Sequence, residues 1–256
     1  MVIFIAGIVM QTACGVDNQG ITVYSPPRTP EGHPDLQGIW QVRNTANWDL
    51  EHHTGSYKIP AGLSVVIDPP DGEIPYQDWA LEQKRMNFNN RFELDPQEKC
   101  YLAGVPRTVY LPFPFQIFQT QEEVVILSEY VHTWRWIPLM ELPRYPGYES
   151  WMGDPRGYWE GDTLVVETTG FNGQTWFDSS GNFHSDALTV TERFERTGAD
   201  TITYEATIED PNIFTQPWTI RMPIYLHRDM NQIMEYECYL YAEDVGKPIV
   251  GEHPWQ

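Results

Sequence analysis

The chain is short of positive charge and short of cysteine. Sixteen Lys and Arg stand against 36 Asp and Glu in 256 residues, a formal net charge of −20. A surface of that sign repels phosphate backbones and anionic head groups. Nucleic acid is therefore excluded as a partner, and contact with a membrane is expected only through a lipid anchor. The 3 Cys form no CxxC and no Cys/His spacing, so no structural zinc site is expected. No GxSxG, GxGxxG or P-loop occurs and no βαβ pattern is visible, which argues against an esterase elbow and against nucleotide chemistry. Paired carboxylates for glycoside hydrolysis have no local signature among the acids. Long apolar runs are missing too, since Met1 to Met10 is too brief to span a bilayer.

What is abundant is aromatic: 10 Trp, 14 Tyr and 11 Phe, with 41% hydrophobic residues overall. That supply fills a core and still lines a pocket, and the length suits one large all-β domain. Residues 1–14 read as an export signal. Met1–Met10 has the length of a signal hydrophobic region, and Gln11-Thr12-Ala13-Cys14-Gly15 resembles the lipobox of bacterial lipoproteins, in which Cys14 would carry the lipid. Gln11 departs from the leucine that such a box prefers. The resemblance implies an exported protein of the periplasm or outer membrane. With Cys14 assigned to the anchor, Cys100 and Cys238 remain as an even pair in an oxidising compartment, either bridged or free.

Residues 15–35 are expected to form an extended tether, because Pro26, Pro27, Pro30 and Pro34 crowd it. A single domain then spans 36–256. Gly38-Ile39-Trp40 resembles the opening signature of lipocalin-type barrels, which implies a tryptophan closing one end. Asn44 to Glu123 is rich in Pro, Asp, Asn and Gly. It is expected to cover the barrel, with one short helix from about Asp78 to Asn90. Strands are expected over Val124–Ile137, Thr163–Thr169, Leu188–Arg196, Thr201–Glu209, Trp218–His227 and Gln232–Leu240. Turn signals between them make an antiparallel meander, closed as a lipocalin-like barrel or stacked as a sandwich to hide its edges.

The runs Cys100 to Arg107, Trp151-Met152-Gly153, Trp159 to Val166, His184 to Leu188 and Thr191 to Phe194 resemble a widespread group of exported bacterial proteins, mostly of unassigned function. Asp210-Pro211 and Pro217-Trp218 extend the resemblance. It implies a family and no activity.

Strand alternation sorts the faces. Glu192 falls in line with Leu188, Val190 and Phe194, where a carboxylate needs a partner or a proton. His132 falls with Ile126, Ser128, Tyr130, Trp134 and Trp136, and Tyr204 with Ile202, Ala206 and Ile208. His132 is thus a candidate general acid/base oriented by Glu192, with His184 as a second proton-transfer group and Tyr130 or Tyr204 bonding a carbonyl or oxyanion. The competing account is mutual satisfaction inside a large barrel. The same His132, His184 and Glu192 would also ligate a divalent metal with one position open, although no HExxH is present. His52-His53 and His227 read as exposed.

The leading expectation is a cofactor-independent lyase, isomerase, dehydratase or cyclase acting on a hydrophobic or aromatic small molecule. A non-catalytic small-molecule-binding lipoprotein and an accessory lipoprotein subunit of an envelope complex stand beside it.

Overall fold

The computed structural model describes residues 24–144 and 147–241. Cys14, the signal-like segment and the start of the tether lie outside the described residues, as does the chain beyond 241.

Ten strands form one sheet: β1 (Gly38–Val42), β2 (Val66–Asp68), β3 (Phe115–Gln119), β4 (Glu123–Ser128), β5 (Trp134–Pro138), β6 (Asp154–Glu160), β7 (Thr163–Thr169), β8 (Thr189–Gly198), β9 (Thr201–Glu209) and β10 (Trp218–Leu226). Nine of them follow the order β5-β4-β3-β1-β10-β9-β8-β7-β6, with every neighbouring pair antiparallel, while β2 pairs with β10 off that path. The result is an all-β, nearly closed barrel rather than a sandwich.

Alternating direction along nine strands leaves β5 and β6, the two ends of the order, running the same way, and among the described residues they form no ladder. At this seam β6 turns small residues inward. A Cβ on Gly157 would come within 2.8 Å of both Ile137 Cγ2 and Leu139 Cδ2. Arg144 donates to Asp154 O at 2.7 Å and Arg156 to Pro143 O at 3.1 Å, which ties the connecting segment alongside β6.

Branched and aromatic residues set the inward face on a period of two. Val190, Glu192 and Phe194 lie opposite Ile208, Ala206 and Tyr204, and the far side of β9 meets Trp218, Ile220, Met222 and Ile224. Trp40 is fully buried; its Nε1 donates to Leu36 O at 2.9 Å and its ring centre lies 5.6 Å from Arg196 Cζ.

The stretch Asn44 to Glu123, expected as an irregular cover, also contributes the strands β2 and β3 to the sheet. It holds α1 (Asp78–Asn89), the one helix expected from the sequence, and two single turns, α2 (Arg91–Leu94) and α3 (Arg107–Tyr110). Every residue of α3 is buried, and its Val109 and Tyr110 join the core beside Phe177.

Three expectations need correction. Val124–Ile137 is two strands, β4 and β5, because the chain reverses at Tyr130-Val131-His132-Thr133. Thr133 N–H donates to Tyr130 O at 3.1 Å, and φ is +45° at Val131 and +52° at His132. Turns of this kind favour Asn-Gly, so a β-branched residue and a histidine there give no sequence signal. Gln232–Leu240 is not a strand: it makes a single bridge at Tyr236 and a 3₁₀ turn over Cys238–Tyr241. The described part of the tether, 24–35, is not extended either. It turns back on itself through Thr29 N–H to His33 O at 2.9 Å, and it docks on the barrel by an Arg28 to Asp162 fork at 2.8 and 2.7 Å and by His33 stacked on Trp159 at 4.7 Å.

Candidate functional site

The five residues singled out from the sequence go to four separate places. Glu192 and Tyr204 are together in the barrel, both at 0% exposure. The Tyr204 hydroxyl donates to Glu192 Oε1 at 2.8 Å, and the second carboxylate oxygen is held by Arg135 Nη2, which also donates to Thr168 Oγ1 at 2.7 Å. Burial first, and then the Glu192 charge, push the Tyr204 hydroxyl well above its ordinary pKa, so it stays a donor. Arg135 is the partner that the carboxylate required. Alternation through an unbroken strand would place it outside, but the two-residue turn shifts the parity, so Arg135 faces in and Trp134 and Trp136 face out.

His132 is not in the barrel. It sits on the turn, 48% exposed, with Nδ1 3.4 Å from Glu237 Oε1. His184 is buried apart from both. Its Nδ1 lies 2.7 Å from Ser185 O and its Nε2 2.6 Å from Thr175 Oγ1. A carbonyl only accepts, so Nδ1 carries the proton and Nε2 takes the threonine's: this is a neutral imidazole between Phe171 and Phe177. Burial pushes its pKa down, in keeping with that state. Tyr130 is buried in a satellite cluster, donating to Tyr101 O at 3.2 Å.

The expected catalytic trio is therefore not assembled. Neither is the expected metal set, and among the described residues no group of three His, Cys, Asp or Glu is placed to hold an ion. The barrel is also not hollow where these residues lie. Glu192, Tyr204, Phe194, Val190 and Ala206 leave no room for water beside them, and Tyr110 seals the mouth above with its hydroxyl on Phe177 O at 2.8 Å.

Of the cavities at the surface, one is lined by aromatic rings together with charged side chains. A groove of about 770 Å³ runs between the 47–59 loop, the segment 91–100, and the chain at Phe113, Tyr130, Tyr236 and Cys238. Aromatic rings line it. Tyr57 meets Phe92 edge-on at 6.0 Å, and Phe113 packs on Tyr130 at 5.6 Å and on Tyr236 at 4.2 Å. Its floor is polar. Arg107 grips Asp95 with two hydrogen bonds of 2.9 and 3.0 Å, and reaches Asn47 Oδ1 and Ser179 Oγ, each at 3.0 Å. Gln97 Oε1 is buried in this wall and accepts no hydrogen bond. Cys100 and Cys238 are joined, Cα atoms 5.5 Å apart, which fastens the C-terminal segment as one side of the groove. That segment also receives the strained turn, through Val131 N–H to Tyr236 O at 3.2 Å.

Behind the floor lies a buried carboxylate cluster. Asp178 accepts from Leu50 N–H at 3.0 Å, Ser180 N–H at 2.9 Å and Asn182 Nδ2 at 2.5 Å, while Asp49 accepts from Ser180 Oγ at 2.8 Å. Burial, followed by the nearby Asp49, pushes Asp178 up to about 7. No periodicity marks Asp178, because it lies in the irregular chain between strands. Sequence reasoning missed it together with Arg107, Asp95, Arg135 and the groove.

No family model, no curated protein and no solved structure matches the chain.

Two measurements check this site. Arg135→Met strands the Glu192 charge, so urea unfolding is expected to show a loss of about 3–5 kcal/mol, and adding Glu192→Gln is expected to restore much of it. Additive losses would contradict the pairing. The Asp178 carboxyl binds its proton more tightly folded than unfolded. Its stabilising contribution is therefore complete below the ordinary carboxyl range and is lost as pH rises through about 7. The unfolding midpoint is expected to fall between pH 5 and pH 8 in the native protein and to flatten in Asp178→Asn; an equally steep fall in the variant would contradict the assignment.

Proposed function

We propose that the protein is a small-molecule-binding protein of the bacterial envelope that holds an aromatic compound in the groove outside its barrel. One observation carries this reading: the groove combines an aromatic lining with a fixed polar floor. Apolar walls with few, well-placed polar groups are the ordinary make-up of a ligand site. A ring would lie against Phe92, Phe113 and Tyr236, and a hydroxyl or amine on it would donate to the exposed Glu98 carboxylate.

The proton-transfer enzyme draws no support from the geometry, because His132, His184 and Glu192 do not surround a common space. Export and lipidation at Cys14 remain part of the proposal on the strength of the signal-like sequence. An accessory subunit of an envelope complex is a second reading, favoured by Phe118, Trp134 and Trp136, which are exposed on the outer face of the neighbouring strands β3, β4 and β5.

The test is titration of the purified chain with 2-naphthol by calorimetry. Saturable binding is expected, weakened about tenfold or more (1.4 kcal/mol or more) by Phe92→Ala, with unfolding unaffected by that exposed substitution. Binding that Phe92→Ala leaves unchanged would contradict the proposed site.

A further inference from the structure

The rim of the groove carries two cations, Lys58 and Arg91. Lys58 Nζ lies 5.2 Å from the centre of the Phe92 ring and 5.9 Å from that of Tyr57, and Arg91 Cζ lies 4.5 Å from Phe92. Arg91 spends its donors on backbone oxygens, Phe88 O at 2.9 Å and Tyr57 O at 3.4 Å. Neither cation pairs with a carboxylate among the described residues, although acids outnumber bases 36 to 16. Most of the other cations do so: Arg28, Lys84, Arg107, Arg193, Arg221 and Arg228 each hold an Asp or Glu. Two unneutralised cations beside one pair of exposed aromatic rings are what an anionic ring compound needs. The rings take its face, and the ammonium and guanidinium take its charge.

The carboxylates in the groove set the orientation. Asp95 is neutralised by Arg107. Glu98 is not, and it lies next to Gln97 on the side fastened by Cys100 and Cys238. A ligand carboxylate is repelled from that side and drawn to Lys58 and Arg91. A hydroxyl on the far end of the ring finds an acceptor in the Glu98 carboxylate.

Resting on the binding reading above, we infer that the groove selects an aromatic acid, with its carboxylate at Lys58 and Arg91 and a ring hydroxyl at Glu98. On a surface of net charge −20, such a ligand is excluded from most approaches, so the two rim cations act as its entry as well as its anchor.

The experiment compares 6-hydroxy-2-naphthoate with its primary amide and with 2-naphthol, by calorimetry on the full chain. The acid is expected to bind about tenfold tighter than the amide, a difference of 1.4 kcal/mol. That advantage should shrink in Lys58→Gln and in Arg91→Gln and with added salt. Arg43→Gln is the control, a cation stacked on Tyr225 away from the groove, and it should leave the ratio unchanged. An amide that binds as well as the acid, or a ratio that falls equally in Arg43→Gln, overturns the inference while 2-naphthol binding keeps the groove as the site. Failure of all three compounds to bind overturns the inference together with the reading on which it rests.

Discussion

The rest of the structure depends on one charge being answered inside the barrel. Glu192 sits at full burial on β8, where an unpaired carboxylate would cost more stability than a domain of this size has in reserve. Arg135 answers it from β5, across the one place where the strands do not pair; Tyr204 donates to the other carboxylate oxygen and Thr168 accepts from Arg135, whose Nε and Nη1 are buried with no hydrogen-bond acceptor among the described residues. Two consequences follow from the same contact. The seam left by an odd number of alternating strands is bridged by side chains where backbone hydrogen bonds are missing. The interior beside this contact is also occupied by buried side chains.

The groove is built from what the barrel does not use. The chain after β10 is brought back by the Cys100 to Cys238 bridge, and Tyr236 pairs with the turn at Val131 and His132. Left-handed backbone at those two residues costs roughly 1–2 kcal/mol each. The strand-like contact at Tyr236 and the packing of Phe113, Tyr130 and Tyr236 hold that conformation in place. On the opposite side, Asp49 and Asp178 lock the 47–50 loop to the 178–182 loop, which fixes Asn47, Trp48 and Ser179 along the floor. The groove is thus a junction of three separately fastened segments, a place where a shaped and largely preformed site arises without a hollow barrel.

Much of the barrel was legible because its signals are local. Period-two alternation marked β7, β8, β9 and β10, and the Gly and Asp turns marked the entry to β7 at Glu160–Asp162 and the link from β8 to β9 at Thr197–Asp200. The parity of β5 was not legible. It turns on a two-residue reversal at Val131 and His132 that has no glycine or asparagine, and every inside-outside assignment after it shifts by one. This is why His132 was expected in the core and Arg135 was overlooked, while Glu192, on an unbroken strand, was placed on the correct face. The groove was not legible either. Its walls come from positions as distant as Tyr57, Phe92, Tyr130 and Tyr236, and only the tertiary arrangement brings them together.

Hydrogen exchange of the full chain, with and without saturating 2-naphthol, tests the central claim most directly, because it reports which backbone the ligand touches. A filled barrel with an external site predicts slowed exchange over residues 47–59, 91–100 and 236–238, and no change in β5, β8 or β9. Ligand-dependent exchange centred on β5, β8 and β9 would mean that the interior opens to admit the molecule, and it would contradict the account.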